Sequence, residues 1–347
     1  MTNSGGNDVA LILHPECLAH LTGQHPERPE RLSAIWDALQ AAFLPAHVTW
    51  PTPAPAELAQ VLRVHSEEHV EFVGNLAVRG GGMIGLDTVV SRHSFNAALL
   101  AAGGAILAAK LTCEQPGTYP FALVRPPGHH ATPTTAMGFC LFNNIAIAAR
   151  AALAELGLSR VAIVDFDVHH GNGTQAVFEA DGQVLFCSLH QFPLYPGTGR
   201  AEEIGEGDGR GLTLNLPLPP GCGDAAYHAA FAQVVEPALR RFRPELILVS
   251  AGFDAHWADP LADLRLSTTG FVDLIQTLQR VADEVSDRRL ALILEGGYDL
   301  NALSSSVVAV VQTLLGDPAR DVLGPPPTGA VGNIQPLLQR IRGIHGL

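Results

Sequence analysis

The chain has 347 residues, of which 47% are hydrophobic and 16% are charged. This composition predicts a large buried core and excludes a disordered chain. The formal net charge is −13 and no Lys/Arg cluster is present, so a nucleic-acid partner is not expected.

The N-terminal segment MTNSGGNDVA has neither a basic stretch nor a long apolar one, so no secretory signal is expected. The five cysteines lack CxxC spacing, which favours a reducing compartment over a disulfide framework. No uninterrupted apolar run approaches ~18 residues, so no membrane span is expected. These patterns predict a cytoplasmic protein and leave its oligomeric state open.

Short apolar runs alternate with helical stretches along the chain. Strands are predicted over Val9–Leu13, Phe121–Val124, Val161–Asp165, Val184–Leu189, Leu212–Leu216, Leu246–Ser250 and Leu290–Leu294. Helices are predicted over Pro29–Phe43, His93–Lys110, Leu141–Leu156, Ala225–Arg240, Thr268–Val285 and Asn301–Leu315. Apolar strands between helices indicate an α/β fold whose parallel sheet is covered on both faces.

No repeat and no long Pro/Gly/Ser linker divides the chain. We therefore expect one catalytic domain over residues 1–347, with a core over about 9–317 and a C-terminal extension over 318–347. Pro325, Pro326 and Pro327 are predicted to lead into a short C-terminal helix.

Polar groups follow five of the predicted strands, where open α/β sheets bind their ligands. The most informative stretch is RVAIVDFDVHHGNG at 160–173. Side chains alternate along a strand, so Asp165, Asp167 and His169 are expected to point the same way. This pattern favours half of a metal site over a solvated turn.

A catalytic zinc keeps three protein ligands and one open position. Asp167 and His169 supply two ligands, and Asp254 is the leading candidate for the third. The competing interpretation of Asp254 is an N-cap or turn aspartate. Two carboxylates and one imidazole suit zinc, although ferrous iron and cobalt also fit.

His129 and His130 follow Pro126-Pro127-Gly128 in a predicted loop, where both can line one cavity. Imidazole can take a proton from an attacking water and return it to a leaving amine. Asp165 and Asn172 are the candidate partners that orient the two rings. The alternative is a pair of core histidines.

Tyr298 follows Glu295-Gly296-Gly297, and its phenol could donate to a developing oxyanion. An ordinary turn or packing tyrosine is the alternative. Phe139 and Phe192 lie beside these motifs, where they could line a narrow tunnel or simply pack in the core.

Six ordered motifs resemble the histone deacetylase / acetylpolyamine amidohydrolase superfamily, in its bacterial class II-like branch. They are RPPGHH (125–130), GFCLFNN (138–144), DFDVHHGNGTQ (165–175), SLHQFPLYPGTG (188–199), SAGFDAHWADPL (250–261) and EGGY (295–298). The resemblance runs from about residue 9 to 317 and includes HPERPERL at 25–32. It implies an arginase-like three-layer α/β fold with a mainly parallel eight-stranded sheet.

The resemblance also implies roles for individual residues. Asp167, His169 and Asp254 would bind one Zn²⁺, His129 would pair with Asp165, and His130 with Asn172. Tyr298 would polarise the acetamide carbonyl. The residues implied to line the acyl-lysine tunnel are Gly138, Phe139, Phe192 and Leu261. The residues implied to hold a structural K⁺ are Asp165, Asp167, His169, Ser188 and Leu189.

Asn172 stands where some family members have Asp, so His130 should be less basic here than in those relatives. Leu261 stands near the point where polyamine-selective eukaryotic members carry a gatekeeper Glu, which weakens a polyamine assignment. Asp87 is assigned to the tunnel rim, near a substrate backbone.

The leading hypothesis is a zinc-dependent amidohydrolase that removes acetyl or short acyl groups from N-acetyl-lysine-like amines with a metal-activated water. A small-molecule deacetylase acting on acetylpolyamines is the closest alternative. A binuclear manganese ureohydrolase would need more bridging ligands than the sequence offers around His169 and Asp254. A non-catalytic binding protein would be favoured only if Tyr298 or a metal ligand were missing.

Overall fold

The computed structural model describes residues 7–42, 44, 47–327 and 333–347. Most of the N-terminal segment used in the signal prediction, residues 1–6, lies outside the described residues. The helix predicted over Pro29–Phe43 is observed over Glu30–Ala41, and Phe43 itself lies outside the described residues.

Eight strands form one sheet in the order β2-β1-β5-β10-β9-β6-β7-β8, and every neighbouring pair is parallel. A separate antiparallel hairpin is made by β3 and β4. The strands are β1 Asp8–Ile12, β2 Val48–Thr49, β3 Gly81–Ile84, β4 Thr88–Ser91, β5 Thr118–Ala122, β6 Val161–Asp165, β7 Val184–Gln191, β8 Thr213–Leu218, β9 Leu246–Ala251 and β10 Leu290–Leu294.

The described residues also form a set of helices around the sheet. These are α1 Glu30–Ala41, α2 Leu58–Val61, α3 Glu67–Val78, α4 Ser94–Glu114, α5 Asn144–Glu155, α6 Asn172–Phe178, α7 Asp224–Ala230, α8 Glu236–Phe242, α9 Thr268–Val285, α10 Leu300–Leu315 and α11 Gln335–His345. The predicted helix Ala225–Arg240 is interrupted by a π-helical turn over Phe231–Val235. Pro237 has no N–H to donate to the preceding turn, which accounts for the irregularity.

The core lies on both faces of the sheet, as the apolar strands predict. Along β6, Ala162 and Val164 face one buried cluster, whereas Val161 and Ile163 face the other. Helices α4 and α5 cover the second face, and α1, α9 and α10 cover the first. The predicted three-layer α/β fold is thus confirmed.

Helix α4 is long and apolar enough, by length and composition, to cross a membrane. The buried share of its most apolar 18-residue window is 61%, because the helix packs against the sheet and α5. Core helices of this kind are apolar on most sides.

The core extends past residue 317, where the sequence analysis ended it. Ile334, Leu338 and Ile341 are buried in the same cluster as the sheet residues, and α11 packs against β8. Helix α11 therefore belongs to the packed structure.

The five strands with chemistry at their ends are consecutive in the sheet, in the order β5-β10-β9-β6-β7. Because all five are parallel, their carboxyl ends meet at one edge. The sheet topology thus brings together motifs that are more than 150 residues apart in sequence.

Candidate active site

Asp167, His169 and Asp254 form a buried cluster at this edge. Nδ1 of His169 lies 3.1 Å from Oδ1 of Asp167 and 3.2 Å from Oδ2 of Asp254. One ligand atom from each of the three residues lies within 4.8 Å of the others. The three residues predicted to bind a metal are therefore adjacent, although they come from the ends of two strands.

Backbone amides hold the remaining carboxylate oxygens. The amide of Gly296 donates to Oδ2 of Asp167 over 2.8 Å, and that of Val168 donates to Oδ1 of Asp254 over 2.8 Å. A Cβ at Gly296 would lie 2.1 Å from Oδ2 of Asp254, and one at Gly252 would lie 2.1 Å from Oδ2 of Asp167. Only glycine lets these loops approach the carboxylates so closely.

The electrostatics of the cluster suit a cation. Burial alone would lower the pKa of His169, but its hydrogen bonds to Asp167 and Asp254 and their charges raise it to about 10. The site therefore stabilises a positive charge between two carboxylates. A divalent ion can take the place of that proton, and two carboxylates with one imidazole supply three ligands, the number that a catalytic zinc takes from the protein. The residues present therefore fit the implied metal.

The tandem histidines have the two different partners expected from the sequence. Nδ1 of His129 lies 2.9 Å from Oδ2 of Asp165, and Nδ1 of His130 lies 2.8 Å from Oδ1 of Asn172. The two ring centroids are 4.0 Å apart. The two imidazoles therefore lie side by side at the site although they are consecutive in sequence.

The pKa values of the two imidazoles are shifted in opposite directions. Burial opposes protonation of His129, but the charges of Asp167 and Asp165 hold its pKa well above the ordinary value. Burial and the positive charges of His129 and His169 hold the pKa of His130 well below it. One imidazole is therefore cationic and the other neutral near pH 7.

Tyr298 lies beside Phe139, close enough to Asp254 and Asp167 for their charges to act on its phenol. Its amide donates to Oδ2 of Asp259 over 2.7 Å, and its ring is edge-on to Phe139 at 5.7 Å. Burial raises the pKa of the phenol well above its ordinary value, and the nearby charges of Asp254 and Asp167 add to the effect. The phenol therefore stays protonated and can act as a hydrogen-bond donor.

Gly138 and Phe139 form a strained turn against the histidines. A Cβ at Gly138 would lie 2.3 Å from Cδ2 of His130. Phe139 has a φ of 69°, in the left-handed region that side chains rarely adopt. Its amide donates to Oγ1 of Thr88 over 3.1 Å, and His25 packs edge-on to its ring at 4.5 Å. Gly138 therefore lies against His130 and Phe139 against Tyr298, and their assignment to the tunnel stays a prediction.

The two aromatic residues that follow β7, Phe192 and Tyr195, have different neighbours. The ring of Phe192 lies 5.2 Å from the guanidinium of Arg200. Tyr195 instead packs edge-on to His130 at 5.2 Å and lies 6.4 Å from His169. The chain after β7 thus places Tyr195, three residues after Phe192, beside His130. The Tyr-Pro-Gly-Thr-Gly run was noted in the sequence, but no role was given to Tyr195.

Leu261 and Asp87 are both half-buried near the site. The amide of Leu261 donates to Oδ1 of Asp259 over 3.0 Å. Oδ1 of Asp87 accepts a hydrogen bond from Thr88. Burial raises the pKa of Tyr195, and the charge of Asp87 adds to that effect. Asp87 therefore lies on the same side of the site as Tyr195.

The residues assigned to potassium lie on neighbouring strand ends. Asp165 is paired in register with Ser188, and Leu189 follows on β7. Asp167 and His169 continue the chain after β6. The potassium assignment stays a prediction.

A buried ionic network is linked to the backbone of the loop that carries Tyr298. The sequence analysis gave this network no role. Arg125 binds both carboxylate oxygens of Glu27 over 2.7 Å each. Arg31 donates to the carbonyls of Glu295 and Gly297 over 2.5 and 2.7 Å. The motifs HPERPERL and RPPGHH contain these residues. Only the structure shows that they pair.

The family model described as "Histone deacetylase domain" matches residues 25–314. The chain belongs to the histone deacetylase family. It is 42% identical to a "Probable deacetylase" of Archaeoglobus fulgidus, over 89% of this chain and 86% of that protein. It is also 42% identical to the "Histone deacetylase-like amidohydrolase" of Pseudomonas aeruginosa, over 86% of this chain and 80% of that protein.

Among solved structures, the crystal structure of the HDA15 HD domain is similar, with a TM-score of 0.87 and 36% sequence identity. The match covers 98% of this chain and 94% of that chain. As a histone deacetylase-family amidohydrolase, the protein is a hydrolase that acts on amides. The resemblance found in the motifs is thus confirmed.

Proposed function

We propose that this histone deacetylase-family protein is a zinc-dependent deacetylase that releases acetate from an N-acetylated, lysine-like amine. The observation that carries the proposal is the convergence of three groups at one edge of the sheet. These are the Asp167–His169–Asp254 cluster, the differently paired histidines and the phenol of Tyr298.

Asp167, His169 and Asp254 would hold the metal. Bound there, it would supply Lewis-acid polarisation of the acyl carbonyl and would acidify water. Zinc is the preferred ion because the ligand set has three members and leaves an open position; ferrous iron and cobalt remain compatible with the same donors.

His130 is proposed as the general base and acid. Its low pKa keeps the imidazole neutral, so it can take a proton from the attacking water. Water adds to the acyl carbon, the C–N bond breaks, and His130 returns the proton to the leaving nitrogen. The products are acetate and a free amine.

His129 and Tyr298 are proposed to stabilise charge. His129, paired with Asp165, remains cationic beside the reacting centre. Tyr298 donates its phenol hydrogen to the carbonyl oxygen as that oxygen gains negative charge. Neither group needs to change its protonation state during the reaction.

The side chains around the site favour a substrate with an extended alkyl chain and a small acyl group. Phe139 and Tyr195 supply aromatic surface near His130, and Leu261 adds an apolar side chain close to Asp259. A second ammonium of a polyamine would find no carboxylate at Leu261, although the net charge of −13 attracts cations.

The deciding experiment compares kcat/KM for an acetyl-lysine peptide with kcat/KM for acetylated putrescine, spermidine and cadaverine. We expect the peptide to be preferred. Leu261→Glu should raise the value for acetylspermidine relative to the peptide, whereas Leu261→Gln, a control of equal size, should not. If kcat/KM of the parent protein is more than about tenfold higher for acetylpolyamines than for the peptide, the small-molecule alternative replaces this proposal.

A further inference from the structure

The carboxylate of Glu295 is completely buried at the end of β10 and joins three segments of the chain. Its Oε2 accepts hydrogen bonds from the amides of Gly128 and His129, over 2.7 and 3.2 Å. Its Oε1 accepts one from the hydroxyl of Ser250, on β9, over 3.2 Å. Three donors therefore converge on a side chain that the proposed chemistry does not use.

These bonds lie at the start of the tandem-histidine loop. Gly128 is packed so tightly that a Cβ would lie 2.4 Å from the amide of Asn144. The carbonyl of His129 accepts a hydrogen bond from the amide of Thr174 over 3.1 Å. The loop is thus held between the Glu295 carboxylate and α6, and a shift of that carboxylate would displace both imidazoles.

Glu295 also begins the loop that carries Tyr298, three residues later. The next amide, that of Gly296, donates to Asp167, and the carbonyl of Glu295 accepts from Arg31. The backbone at Glu295 is therefore fixed relative to the metal cluster, while its side chain is fixed relative to the histidines.

We propose that Glu295 is a positioning residue that holds the tandem-histidine loop in register with the loop that carries Tyr298. The inference rests on the roles proposed above for His129, His130 and Tyr298. This role requires a hydrogen-bond acceptor at the position of Oε2, within reach of the amides of Gly128 and His129. Misplacement of catalytic groups by about 1 Å can cost about 10²-fold in rate.

Three substitutions of Glu295 distinguish the loss of the hydrogen-bond acceptor from a change in its position and from a change in packing. Glu295→Gln keeps an oxygen for the two amides, and its NH₂ can donate to Ser250. Glu295→Asp keeps a carboxyl group but withdraws it by one methylene. Glu295→Leu removes the acceptor. Glu236→Leu is the matched control, because Glu236 is also buried and its carboxylate pairs with Arg240 and Arg280, both at 3.0 Å, far from the tandem-histidine loop in sequence.

Each variant is measured for kcat and KM on an acetylated substrate, for metal content and for hydrogen–deuterium exchange of residues 125–131. We expect Glu295→Leu and Glu295→Asp to lower kcat by about 10- to 100-fold with KM within about twofold. Exchange of the segment should accelerate in both variants. Glu295→Gln should retain kcat within about fivefold and show the exchange of the parent, as should Glu236→Leu.

The proposal is overturned if Glu295→Asp keeps the kcat and exchange of the parent, or if Glu295→Gln loses as much activity as Glu295→Leu. Glu295→Asp decides the question even if Glu295→Leu does not fold. A parent that turns over no acetylated amine would count against the proposed function, and the exchange measurement would still decide the inference.

Discussion

His130 is paired with an amide: its Nδ1 lies 2.8 Å from Oδ1 of Asn172. Replacing this amide by a carboxylate would stabilise the imidazolium and raise the pKa of His130. The base must be neutral to accept a proton, so Asn172→Asp should move the acidic limb of the pH–rate profile to higher pH. The measurement is kcat/KM against pH.

Gln175→Glu is the matched control for this substitution. Gln175 lies on the same helix, but its Oε1 pairs with Nε2 of His170 over 2.9 Å instead of with His130. The control should leave the acidic limb in place. An unmoved profile in active, folded Asn172→Asp would contradict the assignment of His130 as the base.

Tyr298→Phe should lower kcat by about 10²–10³-fold, because one oxyanion donor contributes ~2.7–4 kcal/mol in a comparable hydrolytic site. Metal content and fold should be unchanged. Tyr227→Phe is the control, since the Tyr227 hydroxyl is buried in the core without a hydrogen-bond partner among the described residues. A kcat within about threefold of the parent would remove Tyr298 from the mechanism.

Asp254→Ala should abolish stoichiometric metal binding, since Asp254 supplies one of three ligand atoms. Elemental analysis of the purified parent should give close to one divalent ion per chain. Asp263→Ala, which changes an exposed carboxylate, should keep that ratio. Unchanged metal content in Asp254→Ala, or full activity after exhaustive chelation, would disprove the assigned site.

Tyr195→Ala should raise KM for an acetylated substrate by about tenfold, because it removes the ring that faces His130. Tyr195→Phe should change KM little. Phe192→Ala should also change KM little, since that ring packs on Arg200. Equal effects of the two alanine variants would show that Phe192 lines the tunnel after all.

Glu27→Gln should lower the free energy of unfolding at pH 7 by about 3–5 kcal/mol, because it leaves buried Arg125 without its counter-ion. Burial opposes ionisation, but Arg125 holds the pKa of Glu27 far below its ordinary range. This contribution is therefore present above the unfolded pKa of about 4.3 and is lost as the pH falls toward the folded pKa.

Chemical denaturation at pH 7 and pH 3 tests the stability prediction, and the difference between the parent and Glu27→Gln should shrink at pH 3. The control is Glu155→Gln at a partly exposed pair with Arg63, where a change within about 1 kcal/mol is expected. An equal loss in both variants would argue against a special contribution from the buried network.

The sequence alone determined the fold class, because β-branched runs between helical stretches have few ways to bury their apolar faces. It also predicted which side chains meet at the site. Asp167, His169 and Asp254 follow strand ends, and parallel strands place those ends together. Several elements escaped prediction: β2 has two residues and α2 has four, too few to show a period, and the twelve-residue helix α3 was missed as well.

The tertiary structure determines contacts that cannot be predicted from the spacing of residues along the sequence. Phe192 and Tyr195 are three residues apart, and the path of the chain after β7 determines which ring faces His130. The pairs Glu27–Arg125 and Glu295–His129 join segments 98 and 166 residues apart. No local pattern marks such pairs, because a buried charge or carboxylate selects its partner by proximity in space, after the chain has folded.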